Sequence, residues 1–364
     1  MTLIGKFMLV IVLAAFLLAW ILQGGLSKKR RRAPGFWKKL FVRQLILLPV
    51  YAFVVLPGIL GFLVSKVVGT RSDERAYLGP VFDEKGTWIC QDRQSLENGT
   101  PKTPESVDAI TKRVVHFTNT EGRKLRAFFV PCRDDKPTAV VVLVHGLFRN
   151  AMEVEPVAAM FRNLDSDVLL IELSNHGGSE HHAFTFGYKE QDDVLAAVEY
   201  LRGRPGGIRA PLILFGVSMG GVAAALAAPK IKELRGLVLE APMTNMLETA
   251  HRQLKRGVGL PGFFTSIVLW HLELWSDFDM GDIRPIDVFK SLPETLPSLF
   301  VGAGDDYRVP PDVVRECFAA LPAPEPRKVL WIEEGSKHGQ VSNDKPEAYR
   351  EHLRALLQRV TLSK

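Results

Sequence analysis

The chain has 364 residues, of which 47% are hydrophobic and 9% aromatic, and this allows one large folded domain with additional segments or two average domains. The formal net charge of +6 comes from the N-terminal part, because residues 1–75 hold 12 Lys/Arg and 2 Asp/Glu whereas the rest holds 34 and 38. The rest is therefore mildly acidic and has no basic stripe for phosphate groups, which argues against nucleic-acid binding.

Residues 1–70 contain two apolar stretches separated by basic residues. The stretches, residues 3–22 and 45–64, are each about 20 residues long, the length that an α-helix needs to cross a bilayer. Eight Lys and Arg side chains lie between them, within residues 28–43, and such a cluster stays on the cytoplasmic side. The pattern predicts a membrane anchor of two spans that places the rest of the chain outside the cytoplasm. In the alternative, residues 45–64 lie on the membrane or pack as a core hairpin, and the rest of the chain is cytoplasmic.

Residues 71–112 are polar, with Pro and Gly at several positions, and are predicted to be a linker. The cysteines, Cys90, Cys132 and Cys317, do not have the spacing of a metal site. Two interpretations stay open, a Cys90–Cys132 disulfide in an oxidising compartment or isolated thiols in a folded domain. The sequence has no metal-ligand set, Walker loop or dinucleotide fingerprint, so no cofactor is expected.

From residue 113 onward, strand-like and helix-like patterns alternate. Two strand-like stretches, at 114–117 and 124–131, are followed by short apolar runs typical of strands buried on both faces; the runs are 139–146, 167–173, 212–216, 236–241, 298–303 and 328–333. Helical spacing of apolar residues occurs at 151–164, 190–201, 219–228, 311–321 and 346–360. The alternation predicts an α/β fold over residues 113–364, with a mostly parallel sheet and helices on both faces. It lapses at about 242–290, where either a cap insertion or a pair of ordinary surface helices is expected.

The pentapeptide Gly216-Val217-Ser218-Met219-Gly220 joins an apolar strand to a helix. This is the setting of a nucleophile elbow, a tight turn that exposes a serine hydroxyl at the N-terminus of a helix. A Cβ at Gly216 or Gly220 is expected to collide with neighbouring backbone. Ser218 is therefore the predicted nucleophile.

A serine hydroxyl needs a general base, and the base needs an acid that orients it. In folds with this elbow the chain order is serine, acid, histidine. His338 is the predicted base because it lies in a loop directly after the strand 328–333, whereas His251 and His271 fall in the insertion and His352 in the last helix. The acid follows the strand 298–303; Asp306 is preferred, with Asp305 as the alternative.

A tetrahedral intermediate also needs two backbone N–H donors for its oxyanion. One donor is expected to be Met219, the residue after the nucleophile. The second is expected in the loop after the strand 139–146, and Leu147 is favoured. His145 and Gly146 precede Leu147, and His145 is expected to brace this loop.

Together, the motifs His145-Gly146, Asn175–Ser179, the elbow, Asp306-Tyr307-Arg308-Val309-Pro310 and the late His338 resemble the α/β-hydrolase superfamily over residues 113–360. The segments Thr185–Glu190 and Asp282–Asp306 are similar to the serine-aminopeptidase and monoacylglycerol-lipase-like branch. The resemblance implies the α/β-hydrolase fold and a Ser-His-Asp triad. A departure is Glu172-Leu173-Ser174, where many relatives have Asp-x-Arg, and this change is expected to alter loop bracing only.

The favoured function is hydrolysis of a carboxylic ester or thioester, of a small molecule or a lipid-like substrate, through an acyl-Ser218 intermediate. The alternatives are a peptidase or amidase with the same triad and a hydrolase fold kept as a non-catalytic binding domain. The expected partners are the substrate and a membrane bound through the N-terminal segment, and no nucleic acid.

Overall fold

The computed structural model of the protein describes most of the chain after residue 112 and only short pieces before it. The described residues are 17, 21, 34–39, 41–42, 58–59, 81–82, 88–89, 113–258, 262–274 and 278–362. The predicted spans 3–22 and 45–64 thus lie almost wholly outside the described residues, as does Cys90. None of the helices in the described ranges combines the length and apolar character needed to cross a bilayer.

Two compact units divide the chain. One consists of Met1–Val68 and Leu247–Met280, so it joins most of the predicted insertion to the N-terminal segment. The other consists of Gly69–Met246 and Gly281–Lys364 and carries every predicted site residue.

An eight-stranded sheet forms the larger unit, in the order β10-β9-β8-β7-β5-β6-β4-β3. Its strands are β3 (Arg113–Thr118), β4 (Lys124–Val130), β5 (Val140–Val144), β6 (Asp167–Ile171), β7 (Leu212–Val217), β8 (Leu234–Glu240), β9 (Ser298–Ala303) and β10 (Lys328–Glu333). The hairpin β3–β4 and the β4–β6 pair are antiparallel, and all other pairs are parallel. The predicted α/β fold with a mostly parallel sheet is confirmed. Within the predicted linker, two short strands, β1 (Val81–Phe82) and β2 (Trp88–Ile89), pair antiparallel.

Strand burial follows position in the sheet. β5 lies at the centre, and its five residues, Val-Val-Val-Leu-Val, are all buried, as expected for a strand covered on both faces. β10 was expected to be buried in the same way, and this expectation is wrong. Each of its residues is only partly buried, because β10 is the edge strand and lacks a neighbour on one side.

The helices of the described residues are α1 (Glu155–Asn163), α2 (Gln191–Gly203), α3 (Met219–Ala227), α4 (Met246–Gln253), α5 (Gly262–Leu274), α6 (Pro285–Ser291), α7 (Pro311–Ala320), α8 (Val341–Asp344) and α9 (Pro346–Leu362). Seven of these helices cover the sheet in two layers. One layer is formed by α1, α8 and α9, and the other by α2, α3, α6 and α7. In β5, Val141 and Leu143 face the first layer, where they join a core that includes Phe161 and Tyr349.

The predicted helix 151–164 starts as a 3₁₀ turn, Ala151–Val154, before α1 begins. Asn150 caps this turn by accepting the Met152 N–H at 3.0 Å. Pro156 then stands in the first turn of α1, where its missing N–H costs nothing. The 3₁₀ turn therefore leads directly into α1.

The insertion contributes α4, a π-helical turn at Leu254–Val258 and α5. His251 and Thr265 are hydrogen bonded and so connect its two helices. In α5, Trp270 and Leu274 are exposed. The described residues of the predicted insertion thus include a pair of helices.

The carboxyl ends of β5, β7, β8, β9 and β10 point to one edge of the sheet because these strands are parallel. Loops at such an edge are where ligands bind in open α/β sheets. The predicted site residues lie at the carboxyl end of one of these strands or in the loop or helix start that follows it.

Candidate active site

The elbow at Ser218 has the strained geometry that its glycines indicated. Ser218 has φ 54° and ψ −120°, a conformation that few non-glycine residues adopt. Its N–H donates to the Glu240 carbonyl of β8 at 2.9 Å. A Cβ at Gly216 would overlap the backbone of α3, and a Cβ at Gly220 would overlap the carbonyl groups at the end of β5. The strand β7 and the helix α3 can therefore approach closely enough to hold the serine in this turn.

Three of the predicted residues form one continuous hydrogen-bonded chain. The Ser218 hydroxyl donates to His338 Nε2 at 2.9 Å, and His338 Nδ1–H donates to Asp306 Oδ2 at 2.6 Å. The second oxygen of Asp306 accepts the N–H groups of Arg308 (2.8 Å) and Val309 (3.0 Å). Residues that lie 120 and 32 positions apart in the chain are thus brought into contact.

The structure distinguishes between the two neighbouring carboxylates. Asp306 is buried and meets His338, whereas Asp305 is exposed and its N–H donates to the Ser336 carbonyl at 2.9 Å. The other histidines after Ser218 have different contacts. His352 stacks on Trp331.

Glu240, which the sequence analysis did not single out, anchors the loop of His338. It is the last residue of β8, and its two carboxylate oxygens accept the Val341 N–H at 3.2 Å and the Tyr349 hydroxyl at 2.9 Å. Burial raises the pKa of Glu240 to about 7. A charged residue within the apolar run 236–241 was the only sequence signal for this role.

The predicted oxyanion loop has one backbone donor left over. The Gly146 N–H donates to Glu153 Oε2 at 2.6 Å, and the Phe148 N–H donates to His176 Nε2 at 3.3 Å. Within the described part of the chain, the Leu147 N–H between them has no hydrogen-bond acceptor. Met219, the other predicted donor, is the first residue of α3, at the positive end of the helix dipole.

His145 lies behind this loop and is fully buried. Its Nδ1–H donates to the Gly146 carbonyl at 2.8 Å, and its Nε2 accepts the Leu173 N–H at 3.1 Å. Burial lowers the pKa of His145 to about 4, so the ring is neutral at pH 7. These contacts are those of a residue that braces the loop.

Glu172, where the sequence departs from the common Asp-x-Arg pattern, also braces a loop. Its Oε2 accepts the Gly178 N–H at 2.7 Å and Arg126 Nε–H at 2.6 Å. A Cβ at Gly177, which has φ 55°, would overlap this carboxylate.

Cys132 is a buried free thiol, as is Cys317.

The chain is similar to several known proteins. The family model for serine aminopeptidases, S33, matches residues 135–270. The uncharacterized protein YqkD of Bacillus subtilis is 22% identical over 256 residues, which cover 70% of this chain and 81% of the relative. The α/β hydrolase domain-containing protein WAV2 of Arabidopsis thaliana is 26% identical over 64% of this chain and 73% of its own length.

Among solved structures, an esterase from Pyrococcus furiosus superposes with a TM-score of 0.57 at 21% identity. The match covers 71% of this chain and 94% of that esterase. At this level of identity the superposition shows the fold. The sheet order, the elbow, the family model and these relatives together support an assignment of the chain to the α/β-hydrolase superfamily.

Proposed function

We propose that the protein is a serine hydrolase that cleaves carboxylic esters through an acyl-Ser218 intermediate. The observation that carries this proposal is the hydrogen-bonded chain from Asp306 through His338 to the Ser218 hydroxyl. Its members come from three loops at one edge of the sheet. A serine with a base and an orienting acid in this order has the arrangement needed for nucleophilic attack on an acyl carbon.

In the proposed reaction, His338 Nε2 takes the Ser218 proton as the hydroxyl oxygen attacks the ester carbonyl carbon. The oxyanion that forms is stabilised by the N–H groups of Leu147 and Met219 and by the helix dipole of α3. His338 then gives the proton to the departing alcohol. A water molecule, activated in turn by His338, hydrolyses the acyl-enzyme, and Asp306 holds the imidazole through both steps.

Esters are favoured over amides because the P. furiosus structure, which matches 71% of this chain, is named an esterase. The description of the matching family model, serine aminopeptidase, supports peptide or amide hydrolysis as the second candidate. Hydrolysis of thioesters belongs to the first candidate, because it would proceed through the same acyl-Ser218 intermediate. Both candidates use the same triad, so the leaving group decides between them.

A substrate panel tests the proposal. p-Nitrophenyl esters of increasing acyl length are compared with aminoacyl-anilides, with the Ser218→Ala variant as the matched control. We expect turnover of the esters at rates at least tenfold above those of the anilides, and the variant should lose several orders of magnitude in turnover. Faster anilide cleavage would favour the peptidase. Equal background rates for the wild type and Ser218→Ala would favour a non-catalytic binding domain.

We also propose that residues 1–70 attach the enzyme to a membrane, with the hydrolase unit on the extracytoplasmic side. The support is the pair of apolar stretches around the basic cluster. A membrane-held site suits a lipid-like ester. A reporter that works only in the cytoplasm, fused after Lys364, should be inactive, and an active reporter would place the hydrolase unit in the cytoplasm instead.

A further inference from the structure

A second carboxylate, that of Glu153, lies beside the triad without being part of it. It stands in the 3₁₀ turn after the oxyanion loop, and its side chain is 16% exposed. Oε2 accepts the Gly146 N–H at 2.6 Å, and Oε1 accepts Arg149 Nε–H at 3.3 Å. The carboxylate thus binds a residue on each side of Leu147 and ties this loop to the 3₁₀ turn.

Two glycine positions show how near this carboxylate is to the reacting groups. A Cβ built on Gly146 would lie 3.1 Å from Glu153 Oε2 and 3.5 Å from Ser218 Cβ. A Cβ built on Gly339, the residue after His338, would lie 3.8 Å from Glu153 Oε1. Glu153 is therefore between the oxyanion loop, the elbow and the histidine loop.

The first consequence concerns the position of the oxyanion donor. Leu147 can present its N–H to the substrate only if the peptide units on both sides are fixed. Glu153 fixes the unit before it through Gly146, and His176 fixes the unit after it through Phe148, which has φ 57°. Such a conformation is costly for a phenylalanine and persists only where its surroundings hold it.

The second consequence concerns charge. Three carboxylates interact with His338, namely Asp306 through its hydrogen bond and Glu153 and Glu240 through electrostatic attraction, and Arg149 partly offsets Glu153. Burial raises the pKa of Glu153, and the Gly146 N–H, Arg149 and His338 act in the opposite direction. A negative charge here stabilises the protonated imidazole that forms when Ser218 attacks.

We propose that Glu153 is a positioning residue of this active site, which holds the oxyanion loop through Gly146 and favours the protonated form of His338. The inference rests on the proposed function, since it assigns Glu153 a task in acyl transfer at Ser218. Glu153 need not touch the substrate, because it acts through the backbone of one neighbour and the charge of another.

The test is the pH dependence of phosphonylation of Ser218 by a fluorophosphonate, measured as a second-order rate constant on the full chain. Glu153→Gln keeps an acceptor for the Gly146 N–H but removes the charge. We expect its plateau rate to stay within about threefold of the wild type while the acid limb moves to lower pH by about half a unit or more. Glu153→Ala removes both the acceptor and the charge, and its plateau rate should fall at least tenfold. The upper bound is the roughly 10²–10³-fold loss in rate that follows removal of an oxyanion donor.

Glu190→Gln is the matched control. Glu190 is also a buried carboxylate that accepts backbone N–H groups, from Thr185 and Gly187, but the groups that shift its pKa do not include His338. Its acid limb should coincide with that of the wild type. Thermal unfolding of each variant shows whether it is folded. If Glu153→Ala is not folded, the test rests on the position of the acid limb in the pH profile of Glu153→Gln.

An unshifted limb in Glu153→Gln, or a wild-type plateau in folded Glu153→Ala, would overturn the inference while leaving the proposed function standing. Absence of labelling in the wild type itself would overturn both. A limb that shifts equally in Glu190→Gln would show a general charge effect and also contradict the specific role of Glu153.

Discussion

At the scale of single residues, Asp305 and Asp306 show what the sequence can and cannot predict. Both follow the same strand, so the pattern of apolar residues places both at the site edge. The preference for Asp306 came from Val309-Pro310, which begins three residues after it. In the structure, the N–H groups of Arg308 and Val309 donate to Asp306 Oδ1. Glu153 was not predictable in this way, because its contact with Gly146 depends on the path of a 3₁₀ turn.

The pair gives a matched test of the acid. Asp306→Asn should lower kcat for ester hydrolysis by about 10⁴-fold, because the amide favours the wrong tautomer of His338. Asp305 is exposed and lies one residue away, so the kcat of Asp305→Asn should stay within about threefold of the wild-type value. Steady-state kinetics on a p-nitrophenyl ester measures both. A larger loss in the Asp305 variant would contradict the assignment.

At the scale of elements, sequence patterns predicted the strands of the eight-stranded sheet to within one or two residues, since buried parallel strands are short apolar runs. The patterns do not contain the order of strands in the sheet, and so they missed that β10 is an edge strand. They also missed α6 and α8, which have seven and four residues and are too short to show helical periodicity.

The junction of β7 and α3 provides a prediction about stability. Gly220→Ala puts a Cβ into the carbonyl groups at the end of β5, and we expect it to lower the free energy of unfolding by about 3 kcal/mol or more, with a fall in Tm of roughly 10 °C. Gly203→Ala, at the end of α2, meets no atom within 4 Å and should leave Tm unchanged or slightly raised. Differential scanning calorimetry compares the two. Similar Tm values for both variants would show that the elbow is not packed as described.

At the scale of the whole molecule, the site depends on contacts between residues far apart in sequence. Glu240 binds Val341 and Tyr349, which lie 101 and 109 residues away. No local pattern encodes such contacts, and this is why the carboxylate that anchors the histidine loop was not found from the sequence. Local motifs predicted the chemistry, whereas the supporting contacts required the fold.

The buried Glu240 predicts a pH dependence of stability. Its pKa is raised from the ordinary value of 4.5 to about 7, so the folded protein binds this proton more tightly than the unfolded chain does. The resulting stabilisation is present below about pH 4.5 and is lost as pH rises through 7. Glu240→Gln resembles the protonated form. The Tm of this variant minus the Tm of the wild type should therefore rise by roughly 5 °C when the pH is raised from 5 to 8. A difference in Tm that does not change with pH would contradict the raised pKa.

Intact-mass spectrometry after treatment with a fluorophosphonate tests whether Ser218 is an activated nucleophile. We expect one adduct per wild-type chain, located on the peptide that contains Ser218, and no adduct on Ser218→Ala. A wild-type chain that stays unmodified, or equal modification of the Ser218→Ala variant, would contradict this role of Ser218.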